Sequence, residues 1–229
     1  MQYEAWENEY KKLSLVTGKP EPQKDLLRFI KYLKKDLGST ISGLDVLDLG
    51  SGTGRNTNHL QKMGNNCVGI EISDTAISIA NKRAKAESLK TTFLKHNMGE
   101  QYPFQNEKFD IVIDFISSNS LNGSEREIYL KEVNRVLKKS GYFFVKALCK
   151  DGDKNAANLL KKSAGVEKDT YIIEELGLTE KVFSKEEFKA TYKSYFKIVK
   201  LDKKTSYTRF NNRSYKRNFW IAYLKKSDY

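Results

Sequence analysis

The sequence predicts an α/β protein: a doubly wound, mostly parallel sheet of about seven strands, with helices on both faces, an N-terminal helical cap and a C-terminal antiparallel hairpin. Three observations lead to this fold class. Short apolar runs alternate with helical stretches between residues 44 and 148, as in strands joined by crossover helices. Two amphipathic segments precede residue 44. Near the C-terminus, two strand-like runs follow each other without a helix between them, which is typical of a hairpin.

The N-terminal cap is predicted from two helical segments. AWENEYKKL places Trp6, Tyr10 and Leu13 at helical spacing. DLLRFIKYLKKDL has the pattern of an amphipathic helix, with lysines opposite an apolar face formed by Leu26, Leu27, Ile30, Leu33 and Leu37. The segment between them, TGKPEPQ, contains Pro20 and Pro22 and is typical of a turn. We therefore expect one helix on each side of the prolines.

The central segment supplies five buried strands and the helices that connect them. Ser73 or Asp74 is a suitable N-cap for the second of these helices, and the third is expected to end at Gly141. The predicted strands are 45–49, 67–72, 91–96, 109–116 and 142–148, and the predicted helices are 55–63, 73–88 and 124–139.

The last third of the chain has a different pattern. A Lys-rich helical segment covers residues 152–164, and the run YIIEELGL fits either a strand or a helix. SKEEFKATYKSY predicts a helix with Ser184 as its N-cap and Glu187 completing a capping box. FKIVKLDKKTSY and RNFWIAYLKK are the two predicted strands of the hairpin, and a basic connection joins them.

Length and composition restrict the class of protein. A chain of 229 residues is long enough for one α/β domain and leaves little for a second. No apolar run approaches the about 20 residues that a membrane-spanning helix needs, and the N-terminus lacks the apolar region of a secretory signal. We therefore expect a cytoplasmic protein without a membrane partner. Cys67 and Cys149 are expected to be buried thiols, so no disulfide-linked partner is expected either.

The positive charge is concentrated near the C-terminus. The chain has a formal net charge of +12, and residues 197–229 hold ten Lys and Arg residues against Asp202 and Asp228. Within this region TSYTRFNNRSYKR interleaves aromatic and cationic side chains. Such a segment can bind the phosphates and bases of RNA, or a charged metabolite, and it can equally be a solvated surface.

The most informative segment is DVLDLGSGTGRNTNHL, residues 45–60. A buried strand ends here in a Gly-rich turn, and a helix follows whose first N–H groups can bind a carboxylate or a phosphate. A dinucleotide-binding fingerprint would need glycine at position 55, but that position is Arg55. The acidic residue Asp48 precedes the turn from within the strand.

This arrangement resembles the first motif of the class I S-adenosylmethionine-dependent methyltransferases. The resemblance implies a Rossmann-like fold, S-adenosyl-L-methionine as cofactor and methyltransferase activity. It also implies contacts between the methionine part of the cofactor and the strand end, the turn and the start of the helix. These positions are Asp48, Gly50, Gly52, Gly54, Arg55 and Asn56.

Three further segments match the same family in order, so the resemblance covers about residues 44–148. Glu71 ends the second strand, where a carboxylate accepts hydrogen bonds from the ribose hydroxyls, and Ile72 is expected against the adenine. After the third strand, the resemblance assigns the adenine amino group to Asn97, where the family more often has Asp, and places Met98 beside the ring. The end of the fourth strand is expected to face the methyl group. Its candidate residues are Asp114, Phe115 and Ile116.

The resemblance also organises the chain as a single domain, 1–229. Residues 1–43 form the helical cap, 44–148 the cofactor-binding core, and 149–229 an acceptor-side insertion with the C-terminal hairpin. No catalytic residue and no metal ligand are assigned, because a methyl sulfonium reacts with a well-positioned nucleophile without a catalytic triad. His59, His96 and Asp114 are weak candidates for a base.

The acceptor is left open among several classes. The fourth strand ends in DFIS rather than the D-P-P-Y or N-P-P-Y tetrapeptide of enzymes that methylate nucleic-acid amino groups. The sequence favours a small-molecule acceptor with an oxygen or nitrogen nucleophile. The alternatives are an RNA methyltransferase that uses the basic C-terminal region and a non-catalytic protein that binds S-adenosylmethionine.

Overall fold

The computed structural model describes residues 2–13, 19–210 and 213–227. Its main sheet has seven strands in the order β3-β2-β1-β4-β5-β9-β8. The first five are parallel, and β9 is antiparallel to β5 and β8. The strands are β1 (Asp45–Leu49), β2 (Asn66–Glu71), β3 (Thr92–Lys95), β4 (Phe109–Phe115), β5 (Leu137–Leu148), β8 (Phe196–Phe210) and β9 (Arg213–Lys226), with β6 (Thr170–Ile173) and β7 (Leu178–Lys181) in a separate hairpin.

Helices cover both faces of this sheet, as predicted. They are α1 (Tyr3–Lys12), α2 (Lys24–Leu37), α3 (Arg55–Lys62), α4 (Asp74–Ala86), α5 (Gly123–Val136), α6 (Lys154–Lys162) and α7 (Lys185–Lys193), with a short 3-10 helix at Ser118–Ser120. Ser73 and Ser184 cap α4 and α7 through their side chains. None of the helices in the described ranges is long and apolar enough to span a bilayer.

Alternation along the strands divides the core between the two faces. Leu47, Val112 and Phe143 belong to one apolar cluster, which includes Tyr129 of α5 and Phe188 of α7. The neighbouring residues Val46, Ile113 and Phe144 belong to the other, which includes Leu26, Phe29 and Leu33 of α2. Because successive side chains of a strand point to opposite faces, a strand buried on both faces needs a continuous apolar run. That is the reason for the composition of DVLDL and FDIVIDF.

The structure corrects the boundary between α5 and β5. The sequence predicts a helix to 139 that ends at Gly141, but α5 ends at Val136 and β5 begins at Leu137. Leu137 pairs with Phe109, and the register shifts before Ile111 pairs with Tyr142. The left-handed residue is Ser140, with φ +61°. Tertiary pairing with β4 therefore decides the conformation of residues 137–141.

The ambiguous run YIIEELGL contains most of β6, the turn of a small hairpin and the first residue of β7. Tyr171 pairs with Glu180 and Ile173 with Leu178, and Gly177 has φ +64° in the turn between them. In the predicted turn TGKPEPQ, Thr17 and Gly18 lie outside the described residues. The same is true of Asn211 and Asn212 in the basic connection.

The C-terminal hairpin is longer than the strand on which it packs. Residues 219–225 of β9 pair with β5, from Leu148↔Phe219 to Tyr142↔Lys225. The pairing of β8 with β9 continues past this point, from Thr205↔Asn218 to Phe210↔Arg213. We call residues 205–210 and 213–218 the hairpin arm. Because β9 is antiparallel to β5, the arm extends beyond the carboxyl end of β5.

Candidate active site

A cavity of about 1320 Å³ lies at the carboxyl edge of the parallel strands. This is the edge at which strand order reverses between β1 and β4, the position where open α/β sheets bind ligands. Most of the residues predicted to contact the cofactor line the cavity. They are Asp48, Gly50, Gly52, Arg55, Asn56, Glu71, Ile72, Asn97, Met98, Phe115 and Ile116. Gly54 and Asp114 are absent from the lining formed by the described residues.

The three glycines of the turn have different roles. Gly50, Gly52 and Gly54 all have positive φ, +63°, +54° and +76°. A Cβ at Gly50 would overlap the side chain of Ser117, which follows β4, so this glycine lets the loop after β4 lie against the turn. At Gly52 a Cβ would lie 2.6 Å from the Tyr10 hydroxyl oxygen. At Gly54 it would lie 2.7 Å from the Phe93 ring, so Gly54 serves packing behind the site.

Glu71 connects the end of β2 to the glycine turn. Its Oε2 accepts a hydrogen bond from Gly52 N at 2.9 Å, and its Oε1 accepts from Ile72 N at 2.7 Å and Ser73 N at 3.0 Å. The side chain is buried, and burial raises its pKa despite these three donors. The carboxylate therefore holds the turn in place and faces the cavity with unused acceptor capacity.

Asp48 is a second buried carboxylate at this edge. Its Oδ2 accepts a hydrogen bond of 2.6 Å from the Thr57 hydroxyl, and the residue is only 2% exposed. The pKa of Asp48 is raised from 3.8 to about 7, because burial and the charges of Asp114 and Glu71 together outweigh the opposing Thr57 hydrogen bond. A cationic ligand group beside Asp48 would favour its ionised form.

Asp114 shapes the loop that carries the other candidates. Its carboxylate accepts hydrogen bonds from Tyr129 Oη at 2.8 Å and from Ser117 N at 2.9 Å. Burial raises its pKa. Ile116 lies between Asp114 and Ser117 and has φ +72°, a backbone conformation that is strained for a β-branched residue. Such strain is concentrated at functional sites, and Ile116 lines the cavity at the point where the sequence predicts the methyl group.

Asn97 and Met98 lie on the cavity wall after β3. Asn97 Oδ1 accepts a hydrogen bond from Gly99 N at 2.9 Å, and its Nδ2 donates to Glu100 Oε1 at 2.9 Å. The amide is thus already engaged in its own turn, with one N–H and one lone pair left for a ligand. Met98 is 7% exposed beside it. His96 also lines the cavity, whereas His59 does not belong to the described lining.

Helix α1 lies over the part of the cavity beside the glycine turn, which we call the cofactor end because the predicted cofactor contacts lie there. Trp6 and Tyr10 of this helix contribute to the lining. Glu7 fastens the helix to the start of α4: its carboxylate accepts from the hydroxyls of Ser73 at 2.7 Å and Thr75 at 2.5 Å. Gln2 donates to the carbonyl oxygens of Ser120 and Thr179, both at 2.8 Å. The N-terminal segment is therefore held at two places and shields the glycine turn from solvent.

The opposite end of the cavity is lined by residues that the sequence did not assign to the cofactor, although Arg217 belongs to the basic connection that it singled out. Four of them are buried side chains with polar or aromatic groups: Lys146, Glu180, Arg217 and Phe219. The only sequence signal for Lys146 is a lysine inside the otherwise apolar strand YFFVKAL. Because a lysine is rarely buried without a partner, that signal could have marked it. Glu180 lies in β7, two residues after the run whose structure the sequence left undecided.

Comparison with known proteins identifies relatives of the central segment. The model of a methyltransferase domain family matches residues 46–141. A ribosomal protein methyltransferase from Dictyoglomus turgidum is 32% identical over 137 residues, which are 58% of this chain and 40% of that enzyme. An uncharacterized methyltransferase from Schizosaccharomyces pombe is 30% identical over 103 residues, which are 45% of this chain and 70% of that protein. The chain thus spans less than half of the first relative.

Solved structures share the fold over a larger part of the chain. A SAM-dependent methyltransferase from Methanosarcina mazei has a TM-score of 0.72 at 23% identity and covers 81% of this chain and 93% of its own. The likeness therefore extends beyond the segment that the family model matches.

Proposed function

Because the chain belongs to the class I S-adenosylmethionine-dependent methyltransferases, we propose that it transfers the methyl group of S-adenosylmethionine to an oxygen or nitrogen nucleophile of a small molecule. The observation that carries this proposal is the cavity at the carboxyl edge, where Asp48 and Glu71 face the glycine turn. Ligand sites of about 300–1,000 Å³ are usual for one small molecule. The cavity of about 1320 Å³ therefore has room for a cofactor and a small acceptor together.

The residues present fit this cofactor. S-adenosylmethionine carries an ammonium and a sulfonium, and the cavity offers buried carboxylates whose pKa values are raised in the absence of a cation. Glu71 retains lone pairs for ribose hydroxyls, while Gly52 leaves the main chain accessible. We propose that the lining residues predicted from the sequence contact the cofactor, and that Asp114 acts indirectly by holding the loop around Ile116.

The cofactor supplies an electrophilic methyl group, and the protein supplies position and shielding. Ser117 Oγ donates to Gly50 O at 3.2 Å, which holds the loop after β4 against the glycine turn. Phe115 stacks on Phe144 with ring centroids 4.4 Å apart, so its ring has a fixed orientation at the cavity. Trp6 and Tyr10 exclude water from the cofactor end, which strengthens electrostatic interactions inside.

The ion pairs of the C-terminal region favour a small acceptor over RNA. Among the described residues, five cations of this region pair with carboxylates at 4.0 Å or less. They are Lys200, Lys204, Arg217, Lys225 and Lys226. Cations neutralised in this way contribute little to phosphate binding. The hairpin arm also lines the cavity with Thr208, Phe210 and Tyr215, which closes it at the acceptor end.

The test is calorimetric titration with S-adenosylmethionine and S-adenosylhomocysteine. We expect the wild-type protein to bind both and Gly52→Asp to bind neither, since a side chain at Gly52 meets Tyr10. Gly43→Asp is the matched control, because Gly43 also has a positive φ, +74°, but a Cβ there meets nothing within 4 Å. It introduces the same substitution at a left-handed glycine without touching the cavity.

Failure of the folded wild-type protein to bind either compound would refute the proposed function. Equal loss of binding in Gly43→Asp would show that the effect of Gly52→Asp reflects folding rather than the site. Binding that is retained in Gly43→Asp and lost in Gly52→Asp would support the proposed cofactor contacts. Formation of S-adenosylhomocysteine with small hydroxy and amino compounds, but not with RNA, would support the acceptor class.

A further inference from the structure

Lys146 is a charged residue on the wall of the acceptor end. It lies near the end of β5, directly opposite Phe115 in the register with β4. It is 8% exposed and lines the cavity. Phe115 ends β4 and Ile116 follows it, where the methyl group is expected, so Lys146 lies on the strand next to that position.

The partner of Lys146 is shared with two other cations. Lys146 Nζ lies 2.9 Å from Asp25 Oδ2, while Arg28 Nη1 lies 2.9 Å from Asp25 Oδ1 and Lys204 also pairs with Oδ1. Arg28 and Lys204 are partly exposed and would neutralise Asp25 without Lys146. A buried cation that exceeds the local negative charge is costly unless another anion reaches it. Because Lys146 lines the cavity, a ligand bound there can supply that anion.

One aromatic ring lies against the ammonium group of Lys146, and others line the same cavity. Lys146 Nζ lies 4.6 Å from the centroid of the Phe219 ring, which also lines the cavity. Phe115 lies beside it, and Tyr215 of the hairpin arm belongs to the same lining. Rings in these positions favour a flat, aromatic ligand, because aromatic side chains pack against such ligands by offset or edge-on contacts.

Arg217 and Glu180, two other charged residues of the lining, belong to one hydrogen-bonded network. Arg217 Nε lies 3.1 Å from Asp153 Oδ2, and Arg217 Nη2 donates to Tyr171 Oη at 2.8 Å. Tyr171 in turn donates to Glu180 Oε2 at 2.5 Å. This network contains one cation and two carboxylates, so it repels an anion. A negative group of the acceptor is therefore directed to Lys146 rather than to Arg217.

We propose that the acceptor is a small aromatic molecule with a negatively charged group, and that Lys146 binds this group. The inference rests on the proposed function and specifies the substrate class of the same site. Lys146 is a specificity-determining residue in this account: it holds the anion by a charge-assisted hydrogen bond beside the end of β4.

The test uses probes that share a ring and differ in charge: benzoate, benzylamine and benzyl alcohol. Each is titrated by calorimetry into the protein loaded with S-adenosylhomocysteine, at constant ionic strength. We expect benzoate to bind at least about tenfold more tightly than the other two. Lys146→Met should remove this preference, whereas Lys146→Arg, which keeps the charge, should retain most of it.

Lys138→Met is the matched control. Lys138 is also an ion-paired lysine of β5, at 2.8 Å from Asp110 and 3.3 Å from Asp45, but it does not belong to the described lining of the cavity. It should keep the preference for benzoate. Folding of Lys146→Met is checked by its affinity for S-adenosylhomocysteine, which should stay within about threefold of wild type.

The outcomes separate the two proposals. If S-adenosylhomocysteine does not bind, the proposed function itself is wrong. If it binds but benzoate is no better than benzyl alcohol, or the preference survives in Lys146→Met, only the present inference is overturned. Tighter binding of benzylamine would also overturn it, because the network of Glu180 would then determine specificity. Displacement of benzoate by a single-stranded RNA oligonucleotide would reassign Lys146 to nucleic-acid phosphates.

Discussion

Replacement of Asp48 by Asn tests whether the pKa of this carboxylate is raised in the folded protein. Asn has nearly the same shape and can still accept the hydrogen bond from Thr57, but it does not titrate. The pKa of Asp48 is raised from 3.8 to about 7 in the folded protein, mainly by burial. A raised pKa means that the folded state binds a proton which the unfolded state releases, so stability increases as pH falls through 7.

The magnitude follows from these two values. Below pH 4 both states are protonated and above pH 8 neither is, so the effect develops between them. From pH 8 to pH 5, protonation of Asp48 should add about 2.5 kcal/mol to the free energy of unfolding of the wild-type protein. The residue is 2% exposed, so solvent screens this effect little.

The assay is urea unfolding at pH 5, 6, 7 and 8 without cofactor, for wild type and Asp48→Asn. Other carboxylates titrate in both proteins, so the difference between their pH profiles isolates Asp48. We expect the free energy of unfolding of the wild type, relative to that of the variant, to increase by about 2.5 kcal/mol as pH falls from 8 to 5. Parallel profiles would refute the reasoning, because they would mean that Asp48 ionises in the folded protein as it does in the unfolded chain.

Two further predictions concern the same edge of the sheet. If the cation of S-adenosylmethionine binds beside ionised Asp48, its affinity should increase with pH up to about 7 and then level off, with proton release at pH 6. Calorimetry in two buffers of different ionisation enthalpy measures this release, which should vanish in Asp48→Asn; equal release by both proteins would contradict it. Glu71→Gln should lower the free energy of unfolding by about 1–3 kcal/mol, because an amide cannot accept from Gly52, Ile72 and Ser73 through both ends. Urea unfolding measures this loss of stability, and Glu87→Gln is the control. That substitution removes a half-exposed carboxylate of a surface ion pair and should change the free energy of unfolding by less than about 0.5 kcal/mol.

The sequence was sufficient for the order of the elements and for the cofactor end of the site. Strands such as FDIVIDF contain a continuous apolar run, residues 111–113, because both faces of the sheet are covered, and this signal is local. The glycine turn is equally local: Gly50 and Gly52 follow Asp48 directly, and Glu71 comes from the next strand in both sequence and space. The matches to methyltransferases confirm the family and its cofactor, and the contacts of individual residues with that cofactor stay predictions.

Some predicted positions have a different role in the structure from the one that their motif suggested. Gly54 faces Phe93 and Ala80 rather than the cavity, and Asp114 faces Tyr129. Both lie in motifs whose neighbours do line the cavity. A residue within a motif can point toward the cavity or toward the core behind it. The direction of its side chain decides between the two, and spacing along the chain does not determine that direction.

Only the tertiary structure brings together the residues around Lys146, where we propose that the acceptor binds. Lys146 is one lysine among many until Asp25 of α2, Lys204 of β8 and Phe219 of β9 come together around it. These residues are up to 194 positions apart in numbering between Asp25 and Phe219. The charge balance at a buried site is a sum over neighbours in space, so it cannot be derived from the sequence before the fold is known. The cofactor end was predictable because its groups are brought together by one turn and two adjacent strands, whereas the acceptor end is assembled from elements that only the completed sheet brings into contact.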